Sequence, residues 1–392
     1  MKKLIFSCFL FCCFTLSAQE DADSLTIPTK TKKVFFKGYL NELYIPTYIF
    51  EETSIQNTAW VHNRLNFKYL PSTHWDITAE LRTRALFQDF RDYTHKQFKT
   101  VTQDAGWLNL SWNLAESNYL LLTTSVERLY AAYQTDNFSI KIGRQRINWS
   151  QALVFNPNDI FKGYSFFDFD YPERQGSDAI RISSYPTTTS VIEWVAKLNY
   201  YGQLTLAGLY RFNVKGWDMQ LLGGLVNKSD LILGTGFSGD IKSVNLRGEF
   251  SYYYSTLIMP ELKNTFVASL GVDYIFKNSI MLSAEGLYNR LPKAYITNLG
   301  TLYTVPMSPK YLSITEWTVC ARISYSFTPL VTGSFTAMSF INLPAFYAGP
   351  SVDYSARKNL TLSAMLQTFI GDKKEMNPYG LLMGYVRLKW DF

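Results

Sequence analysis

Two arginines one residue apart, Arg144 and Arg146, stand at the centre of Gly143-Arg144-Gln145-Arg146-Ile147-Asn148-Trp149. Acids follow at Asp159, Asp168, Asp170 and Glu173, with a further cation at Arg174. Guanidinium forks facing carboxylates across a narrow space make a charged constriction, and rings of Arg and Lys in a pore favour anions. Arg144, Arg146, Asn148, Asp159, Asp168, Asp170 and Arg174 are therefore the candidate constriction. The intervening segment is dense in aromatics (Phe155, Phe161, Tyr164, Phe166, Phe167, Phe169, Tyr171), too apolar for a solvated loop, so it is expected to fold inward. The alternative is a loop packed on the outer rim that buries its own aromatics. Asp168 and Asp170 share one side of an extended chain, where arginine pairing or solvation is a plainer role than an acid pair.

Catalytic chemistry finds little support. The three histidines, His62, His74 and His95, fall by pattern on an inward row, in a turn and in an outer loop. No nucleophile stands with a positioned base, and no Cys or His pair has metal-ligand spacing. The expectation is a protein that is not an enzyme and carries no metal or cofactor.

The elements that must position these residues read as strands. In Tyr379 to Phe392 the row Gly380, Leu382, Gly384, Val386, Leu388, Trp390, Phe392 is apolar or small. The row Tyr385, Arg387, Lys389, Asp391 is polar, as in a strand with one greasy and one wet face. About eighteen such period-two segments follow one another along the chain, with sixteen as the alternative if two glycine-rich segments within 203–238 are misread. Even-numbered connections are short and rich in turn residues, such as Asn213-Val214-Lys215 and Arg357-Lys358, whereas the long ones (45–56, 88–121, 148–177, 255–263, 291–311, 371–378) all fall on the other side.

Apolar residues make up 47% and aromatics 16%, yet no apolar run after the N-terminus is long enough for a spanning helix. Strands that cross a bilayer must close their hydrogen bonds between themselves, which leaves an antiparallel transmembrane β-barrel with Tyr and Phe at the interfaces. Residues 1–18 read as a signal peptide, with Lys2 and Lys3 before an apolar run and cleavage expected after Ala18. Residues 19–33 read as a periplasmic tail and 34–392 as the barrel, with both termini periplasmic. Three of the four cysteines lie in the signal, leaving Cys320 without a disulfide partner. Sixteen to eighteen strands enclose an aqueous channel. Inward rows place Arg64, Arg82, Arg84, Arg181 and Arg387 on its wall with Arg322 and Lys389, and cations outnumber the acids that share those rows. Lumen charges that simply pair across strands are the alternative. The charge of +6 is dispersed along strands, which argues against nucleic acid.

On the strand expected over 137–147, Phe138, Ile140 and Ile142 hold the outward face. Plain alternation would send Arg144 and Arg146 into lipid at a cost of about 2–4 kcal/mol each at mid-membrane. A bulge at Gly143 is expected to swing them inward. The segment 106–114, with Trp107 and Trp112, reads equally as an extra strand, an inward lid or a docking element.

GRQRINW, FNPNDIF and FDFDYPERQGSDAIRI resemble a group of uncharacterised porin-like outer-membrane proteins of Bacteroidota, over about Val34 to Phe392. These are more distantly similar to alginate-export barrels. Ser150 stands where members tend to carry Gly. The C-terminal strand resembles the signal by which barrel assembly machinery reads such proteins, here through Phe392. The resemblance implies a Gram-negative outer membrane, with lipid and lipopolysaccharide around the barrel, and a conduit for a small anionic or saccharide solute. The alternative is a plugged barrel serving as a structural or partner-binding subunit of a secretion or surface-polysaccharide assembly.

Overall fold

The computed structural model describes residues 33–50, 55–89, 103–161, 176–256, 264–290, 308–341, 343–373 and 379–392. Its strands are β1 (Val34–Ile49), β2 (Ile55–Ser72), β3 (Trp75–Phe87), β4 (Ser111–Glu116), β5 (Leu120–Gln134), β6 (Phe138–Gln145), β7 (Ser177–Thr187), β8 (Ser190–Leu198), β9 (Leu204–Val214) and β10 (Trp217–Val226). They continue as β11 (Asp230–Ile241), β12 (Val244–Ser255), β13 (Asn264–Ile275), β14 (Met281–Asn289), β15 (Trp317–Thr328), β16 (Val331–Phe340), β17 (Ala345–Arg357), β18 (Leu360–Ile370) and β19 (Gly380–Asp391).

Every pairing is antiparallel, and apart from β3 with β5 and β19 with β1 each joins chain neighbours. The last strand returns to the first: Tyr39 stands opposite Asp391 and Tyr44 opposite Val386. Reciprocal Gly38–Phe392 backbone bonds of 2.8 and 2.9 Å finish the seam. The result is a closed antiparallel barrel of 18 strands, with β4 as an additional short strand. Closure leaves no free sheet edge around the ring.

Alternation sorts the side chains. On β12, Tyr252 and Tyr254 are exposed on the outside while Ser251, Tyr253 and Ser255 are buried inside. Aromatics touch across the outer surface from Trp217 through Phe237, Phe250, Phe266 and Tyr288 to Trp317. Short turns gather at one end of the barrel. Lys215 and Gly216 both have positive φ (50° and 86°), as a two-residue turn matched to strand twist requires.

Two expectations change. Period-two alternation reads 312–326 as one strand, but the strand begins only at Trp317, because 312–316 turns into the lumen, where Leu312 and Ile314 are buried. The segment 106–114 resolves into a short strand at Ser111–Glu116. Residues 1–32, including the expected signal, lie outside the described residues.

Candidate functional site

The inward turn starts where β6 stops. Gly143 has φ of 119°, and a Cβ there would collide with the Leu129 carbonyl. Register is unbroken across it, since Gly143 faces Tyr130 on one side and Ala179 on the other. The bulge expected at Gly143 is therefore not there. The register shift sits on the neighbouring β5, around the buried Glu127. A glycine-only dihedral turns the strand without inserting a residue.

Arg144 consequently stays on the outward row, opposite Leu129 and Asp178, yet it is only 5% exposed. The chain just before β4 covers it. Nε donates to Asp178 Oδ1 at 2.7 Å, and Nη2 to Asp178 Oδ2 at 2.9 Å and the Leu108 carbonyl at 2.7 Å. Nη1 donates to Asp104 Oδ2 at 2.6 Å and the Val126 carbonyl at 3.1 Å. A guanidinium has five N–H donors, and each of these five contacts can take one. Asp104 also accepts from the Gly106 and Leu110 amides, and Asp178 from the Leu108 amide.

This cluster is a splice. Along one edge of β5, positions 129–134 pair with β6 and positions 121–125 pair with β4. The strand place that β6 vacates by turning inward is taken over by β4, and Gly106 bridges to Asn199 beyond the end of β8.

Past the splice, 146–161 runs inside the barrel, since its partners are inward-row side chains. Arg146 pairs with Asp159 at 2.6 Å. Trp149, fully buried, donates Nε1 to Glu193 Oε2 at 2.7 Å and packs edge-on against Phe161 at 4.7 Å. Glu249 accepts from the Ser150 hydroxyl (2.8 Å) and from the amides of Gln151, Ala152 (2.8 Å) and Asn158 (2.9 Å). Glu285 accepts from the amides of Leu153, Val154 and Phe155 at 3.3, 3.2 and 2.6 Å. Two wall carboxylates thus hold consecutive loop amides that alternation alone leaves without partners. The loop lies so close to β11 that a Cβ on Gly234 would meet Asn158 Oδ1 at 2.9 Å. Asn158 itself bonds Thr235 O (3.0 Å) and Ser251 (2.8 Å). Asn148 caps the turn by accepting from the Ser150 amide at 3.1 Å.

Solved structures share this architecture. OccAB4 of Acinetobacter baumannii superposes with TM-score 0.56 at 10% identity, covering 93% of this chain and 100% of that one. OccK5 (OpdH) of Pseudomonas aeruginosa gives 0.59 at 9%, covering 92% and 98%, and OccAB1 of A. baumannii 0.58 at 7%, covering 92% and 96%. At such identities the likeness establishes the barrel and nothing finer. No protein-family model matches the sequence, and no curated protein matches it.

The remaining candidates lie on the wall. Arg64 pairs with Glu80, which Arg128 also approaches at 3.8 Å, and Arg181 pairs with Glu193. Arg82 is buried beside Arg64, opposite it in register, and Arg84 borders a small polar recess of about 40 Å³ beside Asp104 and Glu127. Arg387 sits apart on β19, bonded to Ser363 at 2.9 Å and 3.5 Å from Asp353. Asp168, Asp170 and Arg174 lie outside the described residues. His62 is buried against Asn41 and the Tyr39 ring, and His74 is held in its turn by the Gln134 carbonyl.

The inward loop is fastened along β8, β11, β12 and β14. A cavity of about 200 Å³ opens instead against β15–β19, lined by Arg322, Ser334, Ser351, Asp353, Ser363 and Arg387 among others. The sequence reading missed Asp104, whose only signal was an isolated acid in a long loop. Glu249 and Glu285 stand on inward rows by alternation, a pattern that marks them as lumen acids but carries no sign that they anchor the loop.

Proposed function

We propose that this chain is an outer-membrane channel, a porin for hydrophilic solutes up to oligosaccharide size with a weak preference for anions. One observation carries the reading: the inward loop is held to one wall and leaves a polar cavity against the other, so the lumen is narrowed off-centre. Arg146, Asn148 and Asp159 belong to the constriction, joined by Asp168, Asp170 and Arg174. Arg144 acts from the wall by holding the root of the loop, while Arg64, Arg82, Arg84, Arg181 and Arg387 line the passage. An acidic saccharide, as the alginate-export resemblance implies, suits the same wall.

The exposed aromatic surface fits lipid and lipopolysaccharide, with both termini periplasmic and Phe392 offered to the assembly machinery. On this reading the barrel has no catalytic task. A second reading, a plugged barrel in a larger assembly, draws on 308–316, which also enters the lumen and packs Leu312 and Ile314 into the buried apolar cluster. Single-channel recording of the refolded protein in a planar bilayer under a salt gradient separates the two. Steady current with anion preference supports the channel, and silence at every voltage overturns it.

A further inference from the structure

The arginines of the lumen differ in how much charge their neighbours leave uncompensated. Arg64, Arg146, Arg181 and Arg247 each face a carboxylate partner, and Arg144 lies between two. Arg387 shares Ser363 with Asp353, whose Oδ1 accepts from the serine hydroxyl at 2.5 Å. Arg322 stands apart. It lies on the inward row of β15, opposite Thr336 on β16, and is exposed. Nη2 reaches Ser334 Oγ at 3.4 Å, and no carboxylate lies within ion-pair distance of it among the described residues. Lys141 and Arg211 likewise show no ion pair among the described residues, but neither borders the cavity. Lys141 lies over the Tyr130 ring, and Arg211 bonds Gln220 at 3.0 Å.

Next to Arg322 the wall carries hydroxyls. Ser334 and Ser351 lie 2.7 Å apart and line the same cavity. Hydroxyl protons rotate, so either serine can turn a donor toward an anion held by the guanidinium. A guanidinium is also more weakly hydrated than an ammonium, which eases contact with a partly dehydrated anion. Asp353 borders the same space and keeps the field from becoming strongly positive. Passage requires this balance, because an anion must be attracted enough to enter and weakly enough held to leave.

We propose that Arg322, with the Ser334–Ser351 hydroxyl pair, is a binding subsite for small monovalent anions and sets the anion preference of the lumen. This rests on the channel reading given above. The arginine pair in the inward loop and its root, the more conspicuous feature of the sequence, is compensated by its own acids and serves architecture.

The test compares wild type, Arg322→Gln and Arg322→Lys in planar bilayers under a potassium chloride gradient, with folding checked by heat-modifiable migration in gels. Expected is an anion-selective reversal potential in wild type, its loss in Arg322→Gln and its retention in Arg322→Lys. A folded, conducting Arg322→Gln with the wild-type reversal potential overturns the inference. If wild type carries no current the channel reading fails by itself, and chloride NMR line width on the detergent-solubilised proteins decides the subsite. Broadening in wild type that is lost in Arg322→Gln supports it, and equal widths refute it.

Discussion

Replacing Glu249 by alanine should release the inward loop while leaving the barrel closed. The carboxylate is fully buried and accepts from four loop donors: the Ser150 hydroxyl and the amides of Gln151, Ala152 and Asn158. Each buried donor left without a partner costs about 1–3 kcal/mol. The Ser150 hydroxyl can turn to Asn156 Oδ1 at 2.5 Å, so the loss falls on the three amides, which even at the low end disfavour the inward state by about 3 kcal/mol. That is roughly a hundredfold change in the ratio of inward to displaced loop. Anchors to the wall remain in Glu285 with three amides, Trp149 with Glu193, and Asn158 with Thr235 and Ser251, but none of them replaces the lost acceptor. The wall itself is little affected, because Glu249 contributes to it only through its backbone, opposite Gly236 and Ser269. Single-channel recording should therefore show larger and noisier conductance in Glu249→Ala, with protease cleavage appearing within 146–161. Glu249→Gln keeps one carbonyl acceptor and should fall between. A folded Glu249→Ala with wild-type conductance and an uncleaved loop would refute the claim that this carboxylate holds the constriction.

Arg144→Ala leaves Asp104 and Asp178 buried without their cation, a loss of about 3–5 kcal/mol that should lower the urea midpoint of the folded barrel. Arg144→Lys should recover only part of it, since an ammonium cannot supply five directed donors; an unchanged midpoint in the alanine variant would sink the splice. Gly143→Ala meets both a positive φ and the Leu129 carbonyl, so the folded yield should drop by more than about 1 kcal/mol implies, and a wild-type yield would contradict the account of the turn. Deleting Phe392 removes the reciprocal bonds to Gly38, so the membrane fraction of the protein in cells should fall, against an undiminished fraction if the terminal residue does no work.

What could be read from sequence followed from locality. The alternation that marks 75–87 needs only the strand itself, and β3 spans Trp75–Phe87. Turn residues are equally local, which is why the eighteen strands of the ring could be counted. The misreadings come where a second strand or a distant segment decides. Leu312, Ser313, Ile314 and Thr315 alternate as a strand would, but both rows are buried, because this stretch lies inside the ring and not in it. Alternation puts Arg144 on the outward row, where a charge is costly, and so predicts that it swings inward. The fold removes the cost another way, by laying residues 104–110 over it from 34 to 40 positions earlier in the chain. No pattern within GRQRINW contains that information.

The splice also explains why an inward loop needs two parts of the chain. When β6 leaves the wall at Gln145, it abandons the edge of β5 above Leu129, and unpaired backbone there is untenable in a bilayer. Extending β6 would restore the wall but remove the constriction, since the same residues cannot be strand and loop. The gap must be filled by another segment, close in space and of strand character, and the long β3–β5 connection supplies it as β4. The joint between the two pieces leaves carbonyls and amides at the break, and it is there that Arg144, Asp104 and Asp178 meet. A cation with five donors between two acids can hold three chain segments at one point, which neither an apolar contact nor a lysine could do. On this argument the root of the constriction is fixed by the wall, and the tip by Glu249 and Glu285. A variant that weakens the root should lower barrel stability, while one that weakens the tip should change conductance alone.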